Sequence, residues 1–307
     1  MKRTIGLITA VALSGAAFAQ DVKVGGYIDG GFNWTKDRTS PSESQFTTND
    51  LALTISGNSG GSFGFIEVAP ALGTILAATQ YYGGHKYDGG LSWKVGAFNG
   101  LLGSEDNESV NRFFVHEGMV SGAFFSTYGG LHVGYAASDS LNVDLVVGNG
   151  IDSTTGFPAA GLAETMWALK LSTKMDDVSA YVGTEIQAVN GETGYKVDFG
   201  AHAKMGQMHA GAEVAMVKPA VANADSGFGV GVHAGYDVVE NTQLLARFDW
   251  GNSNFAGTAN SKYELTVGPT FKLSDAFNVR AHWTMASSGV DNVDASQSLD
   301  VMGVYKF

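Results

Sequence analysis

The chain has 307 residues, no cysteine, 42 glycines and a formal net charge of −12. The absence of cysteine excludes disulfide frameworks, cysteine-ligated metal centres and thiol catalysis, and the acid excess argues against nucleic acid as a partner. Only five prolines are present and 11% of the residues are aromatic, so the chain is not a disordered proline- and glycine-rich polymer.

The first residues predict an export signal. Lys2 and Arg3 form a positive start, and residues 5–18 follow as an apolar stretch without charge. This order, ended by small residues, is typical of a cleavable Sec-type signal peptide rather than a membrane anchor. We therefore expect residues 1–19 to be removed and residues 20–307 to form the mature domain.

Much of the mature chain alternates between apolar and polar residues. In 276–287, for example, every second residue from Phe277 to Met285 is apolar, and the residues between them are polar. A period of two indicates β-strands. The predicted strands begin near residues 22, 47, 61, 74, 89, 128, 141, 163, 177, 193, 207, 227, 241, 262, 276 and 297. The stretch 61–88 alternates poorly, so we predict about 16 strands and accept 14.

Alternation alone fits both a soluble sandwich and a membrane barrel. Runs of about ten residues match tilted transmembrane strands, whereas soluble strands average about five or six residues. Short turns also alternate with longer polar connections, as in outer-membrane barrels; the longer ones are 35–46, 99–127, 150–162, 218–226, 251–261 and 287–297. The sequence thus predicts an all-β fold, a transmembrane antiparallel up-and-down β-barrel in contact with outer-membrane lipid.

The segment 99–127 is the longest of these connections. Loops of this length are usually functional or disordered, and its phenylalanines indicate that it packs on something. One interpretation is an external loop packed on the rim. The other is a loop folded into the pore as a constriction, lined by the candidates Glu105, Asp106, Glu108, Arg112 and Glu117.

The polar face of the strands is expected to line the lumen, because a charge facing lipid costs about 2–4 kcal/mol at the midplane. The lumen wall candidates are Lys170, Lys196, Asp198, Glu213, Arg247, Asp249, Glu264 and Arg280. Such charges form either a solvated wall of mixed-sign pairs or a transverse field that orders water. The excess acid lies mainly in loops, which favours a weak preference for cations.

Histidines also fall on the predicted inner face, and we expect each to be isolated rather than part of a metal site: His132, His202, His209, His233 and His282. Gly60–Gly64 fits a G-x-S-x-G pattern, but no helix follows it, so a glycine-rich turn is the better interpretation. The sequence predicts no catalytic residue, no metal and no cofactor.

The last strand alternates up to its final residue, with Tyr305 and Phe307 on one face. It resembles the closing strand of bacterial outer-membrane proteins, whose terminal aromatic residue is read by the barrel-assembly machinery. This resemblance makes Tyr305 and Phe307 an assembly signal. The alternative is an ordinary strand that ends in phenylalanine.

Four short motifs carry a family resemblance: Lys94–Phe98, Leu102–Glu105, Asn111–Arg112 and Val146–Asp152. Together they resemble the pattern of the Putative β-barrel porin-2 family. This sequence departs from the family pattern at Ala97, at Ser104, at Ile151 and in the extra Gly148. The resemblance implies a bacterial outer-membrane porin and supplies no catalytic residue.

The leading functional hypothesis is a porin, a water-filled channel for passive diffusion of small hydrophilic solutes and ions. One alternative is a barrel enzyme of the outer membrane, such as a protease or phospholipase. Another is a structural or surface-recognition barrel without an open pore. Many porins with sixteen strands are trimers, so a homotrimer is expected by analogy alone.

Overall fold

Sixteen β-strands make up most of the chain. The computed structural model describes residues 21–36, 41–71, 74–105, 111–124, 127–150, 165–189, 191–220, 223–256, 260–287, 289 and 295–307. The predicted signal peptide, residues 1–19, lies outside these residues. In chain order the strands are β1 Asp21–Lys36, β2 Glu43–Ser59, β3 Ser62–Ala71, β4 Thr74–Lys86, β5 Leu91–Asn99, β6 Thr127–Ala136, β7 Leu141–Gly150, β8 Met166–Met175, β9 Val178–Val189, β10 Glu192–Met205, β11 Met208–Lys218, β12 Gly227–Val239, β13 Thr242–Gly251, β14 Lys262–Lys272, β15 Phe277–Ala286 and β16 Ser296–Lys306.

Two helices of four residues each interrupt the strands: α1 Met119–Gly122 and α2 Ser253–Ala256. In the described part of the chain, no helix has the length and apolarity needed to cross a bilayer.

The strands close into a single antiparallel barrel. Each strand pairs with its neighbours in the chain, and β1 pairs with β16 from Tyr27 opposite Lys306 to Lys36 opposite Gln297. Closure leaves no strand edge unpaired, which is the condition for a sheet to lie in lipid. The predicted fold class and the count of sixteen strands are confirmed.

The stretch that alternates poorly contains β3 and β4, which pair as a hairpin. The register shifts between Glu67 and Val68, and again between Ala69 and Ala71. Each shift inserts an unpaired residue and reverses the faces that follow it. These irregularities explain why a period of two is weak in a region that is nevertheless β-sheet.

The two faces of the barrel differ in chemistry. Large apolar side chains such as Trp167, Leu169 and Leu171 on β8 are exposed on the outside. Polar side chains on the inner face are buried, among them Asp29, Glu67, Glu185, Asp198, Glu213, Arg247, Asp249, Arg280, His282 and Asp300. The outside therefore suits hydrocarbon and the inside suits water or a polar filling.

The two ends of the barrel also differ. At one end, strands are joined by short turns such as 176–177, 206–207 and 240–241. Phe307 lies at this end, where its backbone N–H and C=O bond with Gly26. The longer connections lie at the opposite end, as the long and short rhythm of the sequence predicts.

A charge placed on the outer face tests which side meets lipid. Leu169→Arg should lower the free energy of unfolding in lipid vesicles by about 2–4 kcal/mol, because Leu169 faces outward in the middle of β8. The control is Ser172→Arg, which places the same charge on the inner face of the same strand. Urea titration of both variants measures the difference, and equal losses of stability would contradict the assignment of faces.

Candidate functional site

The connection between β5 and β6 enters the barrel. Its described parts are 100–105 and 111–124. They contact inward-facing side chains on strands from β8 to β16: Lys170 bonds to the carbonyl oxygen of Leu101, and Asp300 lies next to His116. Of the two interpretations of this segment, the contacts correspond to a loop within the lumen rather than one packed on the rim.

Two buried carboxylates on β10 and β11 hold the first part of the loop. The backbone N–H of Gly103 donates to Asp198 Oδ2 at 2.8 Å. Ser104 donates to Glu213 twice, through its N–H at 3.1 Å and through its hydroxyl at 2.6 Å. The Ser121 hydroxyl donates to the same carboxylate. An early segment of the loop, at Gly103 and Ser104, and a late one, at Ser121, are therefore both bound to β10 and β11.

The close approach of the loop to β9 depends on a glycine. Gly183 on β9 faces Leu102, and a Cβ atom at Gly183 would collide with the Leu102 side chain. Leu102 packs with Val120, Phe124 and Ala215 in a small apolar cluster. The loop thus seals against the wall through apolar packing as well as hydrogen bonds.

Arg247 on β13 is the centre of a second anchor and is almost completely buried. Its guanidinium lies 3.0 Å from Glu105 Oε1, 3.3 Å from Asp249 Oδ2 and 2.7 Å from Glu264 Oε1. It also donates to the carbonyl oxygen of His116 at 2.9 Å. One cation therefore joins two wall carboxylates to one carboxylate and one carbonyl of the loop.

Backbone N–H groups of the loop donate hydrogen bonds to two of the carboxylates around Arg247. Gly118 N–H donates to Glu105 Oε2 at 2.7 Å, and Met119 N–H donates to Asp249 Oδ2 at 2.8 Å. A buried carboxylate is tolerated only when such donors or cations satisfy it. The two hydrogen bonds therefore fix the backbone at Gly118 and Met119, where α1 begins.

A third set of contacts fixes the loop to β15 and β16. Val115 N–H donates to His282 Nδ1 at 3.1 Å, and His116 Nε2 lies 3.2 Å from Asp300 Oδ1. The hydrogen bond to Asp300 raises the pKa of His116 above its ordinary value, and the charges of Glu117 and Glu264 add to this effect. Protonated His116 is the form that this contact favours.

The inner histidines are not all isolated, contrary to the expectation from sequence. Strand register places His202 and His233 on either side of Gly211, and their rings lie 5.2 Å apart because glycine leaves the space between them. Phe113 of the loop stacks on His209 at 5.4 Å. Within the described residues, no group of three or more histidine or acidic side chains is arranged to hold a metal ion.

The predicted constriction candidates have different surroundings. Glu105 is in the Arg247 anchor, and Arg112 pairs with Glu117 on the loop itself at 2.8 Å. Asp106 and Glu108 lie outside the described residues. Three of the five predicted constriction residues are therefore among the described residues, and their role in a constriction stays a prediction.

The wall candidates fall into separate groups. Asp198 and Glu213 form the first anchor, and Arg247, Asp249 and Glu264 form the second. Arg280 donates to the carbonyl oxygen of Phe114 at 3.4 Å. Lys196 instead pairs with Glu185 of the wall at 3.3 Å. Lys170 bonds to Leu101.

Sequence reasoning did not identify several residues of this site. Ser104, Ser121 and His116 carry no local signal, because serine and histidine occur in any polar loop. Asp300 could have been found, since it alternates with Leu299 and Val301 in the last strand and so belongs to the inner face.

The residues that the structure describes line two cavities beside the loop. One, of about 430 Å³, lies against β7, β8 and β9. The other, of about 230 Å³, is lined by β1, β2, β16 and the loop residues Val115 and His116. The loop thus narrows the lumen and leaves polar space along the wall.

A family model described as Putative beta-barrel porin-2, OmpL-like, matches residues 21–299. The chain belongs to this family. The match covers all but the end of the barrel, and it confirms the resemblance seen in the sequence motifs. Porin-2 membership supports an outer-membrane channel. No curated protein matches the chain.

Solved structures share the fold at low sequence identity. The outer membrane channel DcaP of Acinetobacter baumannii is similar with a TM-score of 0.70 and 14% identity, over 94% of this chain and 97% of that one. Pseudomonas putida OprB has a TM-score of 0.70 and 11% identity, over 97% of each chain. A trimer form of OmpT, an outer membrane protein of Vibrio cholerae, has a TM-score of 0.64 and 14% identity, over 94% and 99%. At these identities the likeness establishes the barrel fold.

Removal of the Arg247 guanidinium tests the second anchor. Arg247→Ala leaves Glu105 and Asp249 buried without their cation, which should cost about 3–5 kcal/mol in unfolding free energy. The amides of Gly118 and Met119 should lose protection from hydrogen exchange. The control Lys272→Ala removes a cation from an exposed pair with Asp275, and the loop amides should not respond. Unchanged protection in Arg247→Ala would contradict the anchor.

The His116–Asp300 contact should weaken as the pH rises. Because the folded-state pKa of His116 is raised, its stabilising contribution is complete below the ordinary value of about 6.5 and is lost above it, through the higher folded-state pKa. Hydrogen exchange at Val115 and His116, corrected for the intrinsic pH dependence, should show this loss. The His116→Gln variant should show no such step, and a wild-type step below the ordinary value would refute the assignment.

Proposed function

We propose that this protein is an outer-membrane porin that lets small hydrophilic solutes and ions diffuse passively through a water-filled lumen. The observation that carries the proposal is a closed barrel with an apolar outside, whose polar inside is narrowed by a loop fastened to the wall. Family membership supports the same function.

The anchors define how the channel would work. Arg247 binds Glu105 of the loop, and donors of the loop satisfy Asp198 and Glu213, so the two anchors would hold the constriction at a constant width. Solutes would pass beside the loop, through the space that the two cavities mark. Size and polarity then decide passage, and no step requires a conformational change.

We propose a weak preference for cations. Acidic residues lie near the long-loop end, including Glu43 at the start of β2, Glu192 at the start of β10 and Asp225 before β12. An acidic mouth concentrates cations by a modest factor, and the effect falls as salt screens it.

The location of the protein follows from the same proposal. Residues 1–19 would direct export, the outer belt would contact outer-membrane lipid, and Tyr305 and Phe307 would be read by the barrel-assembly machinery. The rings of Tyr305 and Phe307 are stacked at 6.2 Å and exposed at the short-turn end, where another protein can reach them. A homotrimer is proposed by analogy with the trimer form of OmpT.

We also propose that the protein catalyses no reaction. Ser104 and Ser121 both donate their hydroxyls to Glu213 and hold the loop, and Ser298 donates its hydroxyl to Asp300 Oδ2 at 3.0 Å. Ser121 and Glu213 are buried, whereas a serine nucleophile and its base need a position open to substrate.

Planar-bilayer recording tests the channel and its selectivity. The purified protein should produce stepwise increases in conductance, and a potassium chloride gradient should give a reversal potential of the sign for potassium. The magnitude of this reversal potential should decrease at high salt, because salt screens the acidic residues. Absence of conductance steps would refute the channel, whereas a reversal potential of the opposite sign would refute only the cation preference.

A further inference from the structure

Two histidine rings meet inside the barrel above one glycine. His202 on β10 and His233 on β12 are each opposite Gly211 on β11, so the three residues form one row across the inner face. The centres of the two rings are 5.2 Å apart. Among the residues that the structure describes, neither imidazole has a hydrogen-bond or ion-pair partner.

Nitrogen atoms of the two rings converge on the space that Gly211 leaves. His202 Nδ1 and His233 Nε2 each lie 2.5 Å from the position that a Cβ atom of Gly211 would occupy. The two nitrogens are therefore separated by no more than twice this distance. Any larger residue at position 211 would fill the space between them, so the approach of the rings requires glycine.

The spacing of the rings is that of two imidazoles bound to one metal ion. Zinc and similar ions bind imidazole nitrogen at about 2.0–2.1 Å, so two rings at the tetrahedral angle have their centres roughly 5 Å apart. His202 and His233 have this separation. Nitrogens bound in this way are about 3.4 Å apart, a distance that small rotations of the two side chains would reach.

The docked loop packs beside this histidine pair. The rings of Phe113 and Phe114 lie 6.2 Å and 6.4 Å from the ring of His233, centre to centre. Phe113 also stacks on His209, which leans over Gly235 and so is not part of the pair. Both rings of the pair are partly exposed. The pair is therefore held on one side by the loop and can be reached from the lumen.

The cations near the pair have carboxylate neighbours of their own. Lys170 acts electrostatically on His202, and Arg247 acts on His233. Three carboxylates interact with each of these cations: Glu105, Asp249 and Glu264 with Arg247, and Asp144, Asp198 and Glu213 with Lys170. What the pair offers to a ligand is thus the lone pairs of two imidazoles rather than a net charge.

We propose that His202 and His233 bind one divalent transition-metal ion, with water or a solute in its remaining coordination positions. Imidazole nitrogen suits copper, nickel and zinc, with Cu²⁺ bound most tightly, whereas magnesium and calcium prefer oxygen ligands. Two protein ligands leave the ion open to the lumen and exchangeable. As a step in the passage of metal ions the site rests on the proposed channel, but the binding itself is a property of the wall.

Calorimetry on the full barrel in detergent, without a histidine tag, is the first measurement. Cu²⁺ should bind more tightly than Ni²⁺ and Zn²⁺, and Mg²⁺ should not compete with it. Competition by Mg²⁺ at a concentration similar to that of Cu²⁺ would overturn the imidazole donor set.

His202→Gln and His233→Gln are the decisive variants. Each should weaken Cu²⁺ binding at least about tenfold, since even the loss of an outer-shell partner costs about 10–100-fold in metal affinity. The double variant should bind no more weakly than either single one, because the two histidines share one ion. The control His132→Gln removes an inner-face histidine that pairs with Asp144 and should leave binding unchanged. Unchanged affinity in either decisive variant, or losses that multiply, would refute the site.

Electron paramagnetic resonance of the bound Cu²⁺ counts the nitrogen ligands directly. The wild type should show coupling to two imidazole nitrogens, and His202→Gln and His233→Gln should each show coupling to one. Coupling to a single nitrogen in the wild type would refute a shared ion.

Gly211→Ala tests the position of the ion while both histidines stay in place. Its methyl group would occupy the space between the two nitrogens, so Cu²⁺ binding should weaken as much as in the histidine variants. The control Gly64→Ala adds a methyl group to a strand where the nearest atom is 3.9 Å away, and it should bind as the wild type does. Wild-type affinity in Gly211→Ala would contradict the placement, and the histidine variants decide the question if Gly211→Ala does not fold.

Bilayer recording separates this inference from the proposed function. Cu²⁺ should reduce the ion current of the wild type and reduce that of His233→Gln only at about tenfold higher concentration. Conductance in a protein that binds no Cu²⁺ at the pair would refute the metal site and leave the channel intact. Cu²⁺ binding at the pair in a protein that never conducts would refute the channel and leave the metal site intact.

Discussion

Closure of the sheet is the constraint on which the rest of this molecule depends. Once β1 pairs with β16, successive side chains point either to the outside or into the lumen. Leu169 and Leu171 face outward while Lys170, between them, faces inward. The charges that lie buried beneath the loop must then find partners in the wall or the loop, because they are shielded from the water of the lumen. The polar interior is a direct result of the apolar exterior.

This constraint explains why the loop and the wall are complementary. Asp198, Glu213 and Asp249 are buried carboxylates, and backbone N–H groups and hydroxyls of the loop donate to them. Arg247 does the reverse, since it receives a carboxylate and a carbonyl from the loop. The loop supplies donors where the wall has acceptors and acceptors where the wall has a donor. The shape of the lumen is set by these matched pairs rather than by the strands alone.

The strands could be predicted from the sequence because a period of two is a local property. Even the weak stretch 61–88 proved to be strands, and its irregular pattern has a local cause in the register shifts of β3. The docking of the loop could not be predicted in the same way. Ser104 meets Glu213 across 109 positions, and Val115 meets His282 across 167. Only the three-dimensional position of the strands reveals that Glu105 and Arg247 are neighbours, although both were candidates by residue type and face.

The long reach of these loop contacts ties the position of the loop to the closed state of the sheet. The loop belongs to the first half of the chain, yet its anchors are on β10, β11, β13, β15 and β16. It can make all of these contacts only when those five strands are in place together. The hairpin of β15 and β16 thus has two roles: it pairs with β1 to close the sheet, and it carries His282 and Asp300, which contact Val115 and His116 of the loop.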